Sequence, residues 1–404
     1  MKYFKKKLSI EKVTVENIAE KYGTPAYCYS YSKLKENIKK FKKSFKAFSP
    51  LICFAIKSNT NVNLIREIKK FGLGADVVSM GELMTAVKAG ISPNKIVFSG
   101  VGKTLDEITY AINKKILLIN AESESEIKQI EKIAKLKKRK VQIGIRFNPN
   151  TDAKTLSQIS TGKKENKFGV NGKTFVRLVD YCKNSKSIEL KCLSVHIGSQ
   201  ILNHKPYEKM LKSISKILNK VNHKFEFIDL GGGMGISYNA DNKRLDYNKY
   251  CLAIKKFLNY HNSKIIFEPG RSIVGNTGIL ISRVIYIKKS GLKNFIILDA
   301  AMNDLMRPAL YGAAHKILPS LKTSKISKKP SEFVGPICES TDKFVTLKKF
   351  QELKEKELIV MCDVGAYGMS LSSNYNLRPK PIELLIKGSK IRVIKKRQKH
   401  KDLI

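Results

Sequence analysis

Short apolar runs alternate with segments of helical period through the first two thirds of the chain. The runs cover residues 51–56, 73–77, 96–98, 116–119, 141–147, 192–197, 225–230 and 264–267. Short apolar runs of this length, each set off from the next, read as strands. Between most of them, as in 61–71, 80–89 and 122–136, the pattern takes on helical period, which predicts amphipathic helices. A strand then a helix, repeated eight times, predicts a TIM-like (β/α)8 barrel over residues 25–275. The fifth and sixth runs are separated by roughly 45 residues. That gap holds Thr161-Gly162-Lys163 and Asn166-Lys167-Phe168-Gly169, which read as an ordered loop ahead of a helix.

From residue 276 the pattern changes. The runs 278–288, 294–299, 357–363 and 382–394 are β-rich, Gly and Pro clusters separate them, and helical period is sparse. A second, mainly-β domain, a sandwich or Greek-key barrel, is expected over 276–404. Residues 1–24 read as a strand-like or amphipathic lead ending at Gly23-Thr24-Pro25. They are expected to join the β domain, although periodicity alone does not place them.

Barrels of this kind keep their chemistry at the C-terminal ends of the strands. Those positions here are Lys57, Asp76, Ser99, Asn120, Arg146, His196, the glycines after Asp229, and Glu268. Scattered surface polars would not coincide with strand ends chosen independently. Lys57 follows an apolar strand; a lysine there is ordinarily a solvated chain, but one held in a partly dry mouth can form a Schiff base. The turn Gly231-Gly232-Gly233-Met234-Gly235 can present backbone N–H groups to a phosphate. It matches neither a dinucleotide fingerprint nor a P-loop, since Ile236 stands where the first needs Gly and no Gly-Lys-Ser/Thr follows. Glu268-Pro269-Gly270-Arg271 is either a local ion pair or a carboxylate for a ring nitrogen beside a guanidinium for an anion. His196 lacks a second His at ligand spacing, so no metal is expected. Cys338, between Gly335-Pro336 and a polar cluster, is a candidate exposed acid rather than a core thiol.

Composition changes this picture little. The chain has 404 residues, 77 Lys plus Arg against 34 Asp plus Glu, and a net charge of +43. Of the basic residues 66 are Lys and only 11 Arg. The excess is spread over the whole chain, and Arg, the preferred two-pronged reader of nucleic acid, is scarce. A biased composition on a solvated surface explains this better than a nucleic-acid role. A nucleic-acid binder would show strongly salt-dependent affinity and no cofactor absorbance. Seven Cys without a CxxC pair suit a reduced, cytoplasmic protein. No apolar run reaches the ~18 residues of a membrane span.

Taken in order, the motifs resemble one family. They are Phe54–Asn59, 72–79, His196–Gln200, Asp229–Gly235, Glu268–Arg271, Cys338–Asp342 and Gly365-Ala366-Tyr367-Gly368. The chain is similar to the group IV, alanine-racemase-like decarboxylases that use pyridoxal 5'-phosphate. Ser160–Lys163, Asn166–Gly169 and the stretch from Asp299 to Tyr311 resemble the branch acting on meso-2,6-diaminoheptanedioate. The resemblance spans about residues 21–390. It implies decarboxylation of that substrate to L-lysine and CO2, the last step of lysine synthesis. It implies that Lys57 carries the cofactor, that His196 lies on its ring, and that Glu268 pairs with the ring nitrogen. Ser199, Gly231, Gly232, Gly233 and Tyr367 would hold the phosphate, with Asp76, Pro269, Gly270 and Arg271 completing the cofactor's surroundings. Arg271, Arg307, Tyr311 and Tyr367 would meet substrate, Arg271, Arg307 and Tyr311 at its carboxylates, and Glu339 would take its distal amino group. Cys338 would return a proton to Cα. It also implies a homodimer in which Cys338 and Glu339 reach the other subunit's site. Departures are mild: Phe54 stands for a common Tyr and Ser58 for a common Ala. The runner-up readings are a decarboxylase of ornithine, arginine or a carboxy-polyamine, and a barrel that binds the cofactor without turnover. Arg307 and Glu339 weigh against the first, Cys338 and the β domain against the second.

Overall fold

The computed structural model describes residues 1–153, 155–238 and 244–404. Among these the chain forms two compact units, one of residues 39–236 and 244–272, the other of residues 1–38, 237–238 and 273–404.

The first unit is a closed barrel of eight parallel strands in sequence order. The strands are Leu51–Ala55, Gly74–Val77, Ile96–Phe98, Leu118–Ala121, Val141–Arg146, Ile188–Ser194, Phe227–Asp229 and Lys264–Phe267. The eighth closes on the first, with Ile266 opposite Leu51. Cys53, Val97, Leu118, Cys192, Phe227 and Ile266, from six different strands, form one buried cluster. Such a cluster makes the interior of the barrel a packed core rather than a pore. Burying each aliphatic or aromatic member contributes roughly 1.5–3 kcal/mol.

The surrounding helices start where a short polar side chain can take their first free N–H groups. Ser79 caps Met80–Lys88, Ser123 caps Glu124–Leu136 and Asn171 caps Gly172–Lys183. Thr104 and Glu107 form a reciprocal capping box on Leu105–Lys114. In Glu124–Leu136, Ile127, Ile130 and Ile133 face inward while Lys128, Lys132 and Lys135 face water.

The second unit is built on a branched nine-stranded sheet. Its long strand Gly278–Lys289 pairs with Ala26–Ser30 and Leu358–Met361 along its first half and with Asn294–Leu298 along its second. The lead strands Lys2–Phe4, Lys7–Ile10 and Val13–Thr14 form a small separate sheet. Leu8, Ile10, Val15 and Ile18 from the lead share a core with Ile279, Val360 and Leu384. The strand Ala26–Ser30 falls within the range read as barrel, yet it lies in the middle of this sheet, between Gly278–Lys289 and Ile382–Lys387. Tyr27, Cys28 and Tyr29 are wholly buried there. Locally, a buried strand followed by the amphipathic helix Tyr31–Ser44 has the look of a first βα unit; only pairing places it.

Candidate active site

Lys57 lies in a single tight turn, Ile56–Ser58, directly after the first barrel strand. Ser58 Oγ donates to Ala55 O at 2.7 Å and Asn59 N to Ile56 O at 2.9 Å, so the backbone leaves the strand at a set angle. The Lys57 amine then meets Asp76 Oδ2, at the end of the second strand, at 2.6 Å. Asp76 is fully buried, while a third of the Lys57 side chain, 34%, remains open. The amine is thus held at the mouth of the barrel and still reachable. Glu82, on the helix after Asp76, accepts from Val78 N at 2.9 Å. Burial pushes its carboxyl up to about 7, against the pull of the Lys57 charge.

The ends of the third, fourth, sixth, seventh and eighth strands meet in one polar network. Asn120 Nδ2 donates to Asp229 Oδ2 at 3.0 Å and to Ser99 Oγ at 3.2 Å. Ser194 Oγ and the Gly231 N–H also donate to Asp229, at 3.1 and 2.9 Å. Ser99 Oγ reaches Glu268 at 3.4 Å. Burial pushes the Asp229 carboxyl up to about 6. Glu268 goes further, held well above the carboxylate range by burial and then by the charges of Asp229 and Asp76. Of the pair, Glu268 keeps the proton and hydrogen-bonds Asp229 with it.

This arrangement makes the mouth acidic and costly to ionise, with a sign that can be checked. A carboxyl whose pKa is raised on folding adds stability that is full below its unfolded value and is lost as pH climbs through the folded one. Glu268→Gln, whose amide can donate to Asp229 in the same way, removes that loss. The cofactor-stripped Glu268→Gln protein is expected to melt near the wild-type temperature at pH 5 and above it at pH 8. Equal melting shifts at both pH values would show that Glu268 does not titrate as described.

His196 lies two residues past the sixth strand. Thr161 Oγ1 donates to His196 O at 2.8 Å and lies 3.0 Å from His196 Nδ1. Its one proton goes to the carbonyl, so Nδ1 carries the hydrogen and Nε2 is left as an acceptor. Burial, then the charges of Arg146 and Lys57, hold this ring well below the usual histidine pKa, and it is neutral. Arg146, at the end of the fifth strand, pairs with Glu122 at 2.8 Å in a buried contact. Its guanidinium lies over the Phe168 ring at 4.8 Å. Gly169 N donates to Glu122 at 3.0 Å, so this pair ties the long loop to the barrel.

The loops after the sixth, seventh and eighth strands form a cradle. Arg271 Nη2 donates to Ser199 Oγ at 3.0 Å. Gln200 clasps Ile236 through its side chain, and Tyr207, fully buried, donates to Gly232 O at 3.0 Å. The Gly231 N–H goes to Asp229, while those of Gly232 and Gly233 take no carbonyl among the described residues. A Cβ on Gly232 would lie 2.1 Å from Glu268 O, and one on Gly233, at φ +86°, 2.2 Å from Gly198 O. Only glycine allows these three loops to approach so closely.

In the β unit, Arg307 opens the short helix Arg307–Tyr311 and is 94% buried, being 6% exposed. Its Nη1 meets His315 Nε2 at 2.7 Å, and its guanidinium lies 4.5 Å over the Tyr238 ring. His315 Nδ1 donates to Cys362 O at 2.8 Å, which leaves Nε2 as the acceptor for Arg307. Tyr311 is half-buried at the end of that helix. Tyr367 has a left-handed backbone, φ 57°, in Gly365–Gly368. Cys338 is exposed, whereas Cys28, Cys53, Cys182, Cys192 and Cys362 are buried and Cys251 half-buried. Asp342 shapes the loop carrying Cys338 and Glu339: it accepts from Ile337 N and Met302 N, both at 2.7 Å. A Cβ on Gly335 would strike that carboxylate at 2.3 Å.

Within the barrel the structure brings together Lys57, Asp76, His196, Ser199, Gly231–Gly233, Glu268, Pro269, Gly270 and Arg271. Arg307, Tyr311, Cys338, Glu339 and Tyr367 belong to the β unit. Sequence reasoning missed Glu82, Ser194 and Glu122 as members of the mouth and His315 as the support of Arg307. Glu122 was within reach, one residue past the fourth strand. No local signal distinguishes His315. Among the described residues no group of three or more His, Cys, Asp or Glu could hold a metal ion, and no helix is long and apolar enough to cross a membrane.

A parallel barrel whose mouth gathers a reachable lysine amine, a neutral imidazole and a proton-sharing acidic pair is equipped to hold an aldehyde cofactor with a basic ring nitrogen. The family model for the pyridoxal binding domain of pyridoxal-dependent decarboxylases matches residues 31–275. A Helicobacter pylori diaminopimelate decarboxylase is 43% identical over 391 residues, covering 96% of each chain. One from Aquifex aeolicus is 38% identical over 407 residues, covering all of this chain and 96% of its own. The crystal structure of the Helicobacter pylori enzyme complexed with L-lysine superposes with a TM-score of 0.92, covering 96% of this chain and 98% of that one. The chain belongs to the diaminopimelate decarboxylase family of pyridoxal-dependent enzymes.

The residues present fit pyridoxal phosphate. Lys57 offers an amine, and the mouth suits a basic ring nitrogen: Glu268, costly to ionise alone, can pass its proton to such a nitrogen and pair with the cation formed, while Asp76 Oδ1 is buried without a hydrogen bond among the described residues. The Ser199–Arg271–glycine cradle has donors for a phosphate.

Proposed function

We propose that the chain removes CO2 from meso-2,6-diaminoheptanedioate to give L-lysine, with the barrel mouth as cofactor site and the β-unit residues as substrate and acid groups. The observation that carries this reading is the acidic Asp229–Glu268 pair beside Lys57 and Asp76, ringed by His196 and the glycine cradle. When bound, pyridoxal phosphate supplies the electron sink for the carbon–carboxylate bond that no side chain can provide.

The chain's own residues do the rest. Lys57 would hold the cofactor through its amine, whose open side leaves room for the substrate amine. Glu268 would pair with the ring nitrogen, passing it the proton it otherwise holds toward Asp229. His196, which is neutral, would lie against the ring without adding charge. Ser199, Gly231, Gly232, Gly233 and Tyr367 would hold the phosphate, with Asp76, Pro269, Gly270 and Arg271 lining the site. Arg271, Arg307 and Tyr311 bind carboxylates. Glu339 takes the distal ammonium, and Cys338 gives Cα its proton. The enzyme is a homodimer in which Cys338 and Glu339 of the partner subunit complete each site. Its seven unpaired cysteines suit a reduced, cytoplasmic setting.

The substrate carries a second amino-acid head, so its far end needs both a cation and an anion. Arg307 supports this, because a buried guanidinium fixed by His315 and Tyr238 favours an anionic partner. Ornithine has no distal carboxylate to offer it. The test is CO2 release by the cofactor-loaded enzyme from meso-diaminopimelate, ornithine, arginine and lysine. Turnover of meso-diaminopimelate at least about 10²-fold faster than the others is expected, from the discrimination a missing charged contact gives. Faster ornithine turnover would overturn the substrate assignment.

A further inference from the structure

Residues Tyr375 to Arg378 belong to no motif that the function above uses, yet they are held in a costly conformation. Asn376 and Leu377 both have left-handed backbones, φ 53° and 52°. Asn tolerates this region; Leu does not, and such strain persists only where the surroundings over-determine it. The surroundings do so here. Ser373 exchanges two hydrogen bonds with Asn303, its N–H to Asn303 O at 3.0 Å and its carbonyl from Asn303 Nδ2 at 3.3 Å. Asn374 is bound to Gln398 at 2.7 Å. Arg378 donates to Asp299 O at 2.5 Å and to Asn303 Oδ1 at 3.3 Å.

From this anchored segment Tyr375 and Asn376 each make one contact to the loop of Cys338 and Glu339. Tyr375 Oη donates to Glu339 Oε1 at 2.5 Å, and Asn376 Oδ1 accepts from Cys338 N at 3.3 Å. The other Glu339 oxygen accepts from Thr341 Oγ1 at 2.8 Å. Glu339 and Tyr375 are both exposed in the single chain, so neither packing nor burial accounts for this orientation.

We propose that Tyr375 is a positioning residue: through its hydroxyl it fixes the direction of the Glu339 carboxylate, and the left-handed pair Asn376–Leu377 is retained because it aims that hydroxyl. This rests on the reading of Glu339 as receptor for the distal ammonium, and it adds that the carboxylate is preset rather than recruited by substrate. A preset carboxylate avoids the ordering cost on binding. Its two donors also hold it below the usual carboxylate range, with Tyr375 contributing most.

The test is a double-mutant cycle on the cofactor-loaded enzyme with Tyr375→Phe and Glu339→Gln. Tyr375→Phe is expected to raise KM for meso-diaminopimelate about tenfold, the effect of one hydrogen bond to a charged group, and to leave kcat within about twofold. Competitive inhibition by L-lysine, which keeps the distal amino-acid head, should weaken by the same factor. In the Glu339→Gln background Tyr375→Phe should add nothing. An unchanged KM in Tyr375→Phe, with a raised one in Glu339→Gln, overturns the positioning role and leaves the Glu339 reading standing. A Glu339→Gln enzyme with unchanged KM overturns both. An equal rise in KM from Tyr375→Phe in both backgrounds also overturns the proposal, since the tyrosine would then act without Glu339. Leu377→Gly, which fits the left-handed backbone, checks folding and is expected to melt higher than wild type.

Discussion

Lys57→Ala enzyme is expected to lose activity by about 10³-fold or more, the scale seen when a group acting in covalent catalysis is removed. Borohydride should no longer fix the cofactor to the protein. The loss has two separable parts. One is chemical: the amine held at 2.6 Å from Asp76 is gone. The other is electrostatic: Asp76 is fully buried, and without Lys57 it loses the cation it pairs with while still facing Asp229 and Glu268. Breaking a buried pair by removing one partner can cost about 3–5 kcal/mol, less here because Lys57 is a third exposed and screened by water. Lys57→Arg separates the parts, since it keeps the charge and cannot condense with an aldehyde at neutral pH. It should restore much of the lost melting temperature and none of the turnover. A Lys57→Ala protein that still yields a reducible adduct would remove Lys57 from its role.

The second large effect is expected at Cys338. Cys338→Ala should lower kcat by about 10²–10⁴-fold, the usual contribution of a general acid, and leave cofactor absorbance unchanged. The thiol is exposed at the tip of a loop that Asp342 and Gly335 organise, so its removal leaves no cavity and no orphaned partner. A fall in kcat without a fall in stability would therefore be chemical. Mixing Lys57→Ala with Cys338→Ala subunits tests whether sites are shared. If Cys338 serves the partner subunit, random mixed dimers have one intact site each and the mixture recovers about a quarter of wild-type activity. No recovery, with mixed dimers shown to form, would place Cys338 in its own subunit's site. An unchanged kcat in the single variant would dismiss it as the acid.

Much of this enzyme was legible in one dimension. A strand buried on both faces must be apolar throughout, and a helix buried on one face must be apolar every three or four residues. The eight barrel strands and their helices therefore stand out, with ends shifted by a few residues, as at Ile188–Ser194. Polar residues that interrupt those runs, Lys57, Asp76 and Glu268, mark the mouth because a strand end is where the chain returns to water. The +43 net charge was legible as background for the same reason: lysines such as Lys128, Lys132 and Lys135 occupy the wet face of their helix.

Other features depend on which segments meet, and no local pattern records that. The run at residues 26–30 has the same texture whether it starts a barrel or completes another sheet; pairing with Gly278–Lys289 and Ile382–Lys387 decides it. His315 and Tyr375 are unremarked in the sequence because their importance lies in one contact each, with Arg307 and Glu339. Which of Asp229 and Glu268 holds the proton follows from dehydration and neighbouring charge, quantities that exist only once the chain has folded. Sequence by itself determined which side chains are available and which segments avoid water. Tertiary structure decided their partners, their protonation and their direction, since these arise from contacts between residues far apart in the chain.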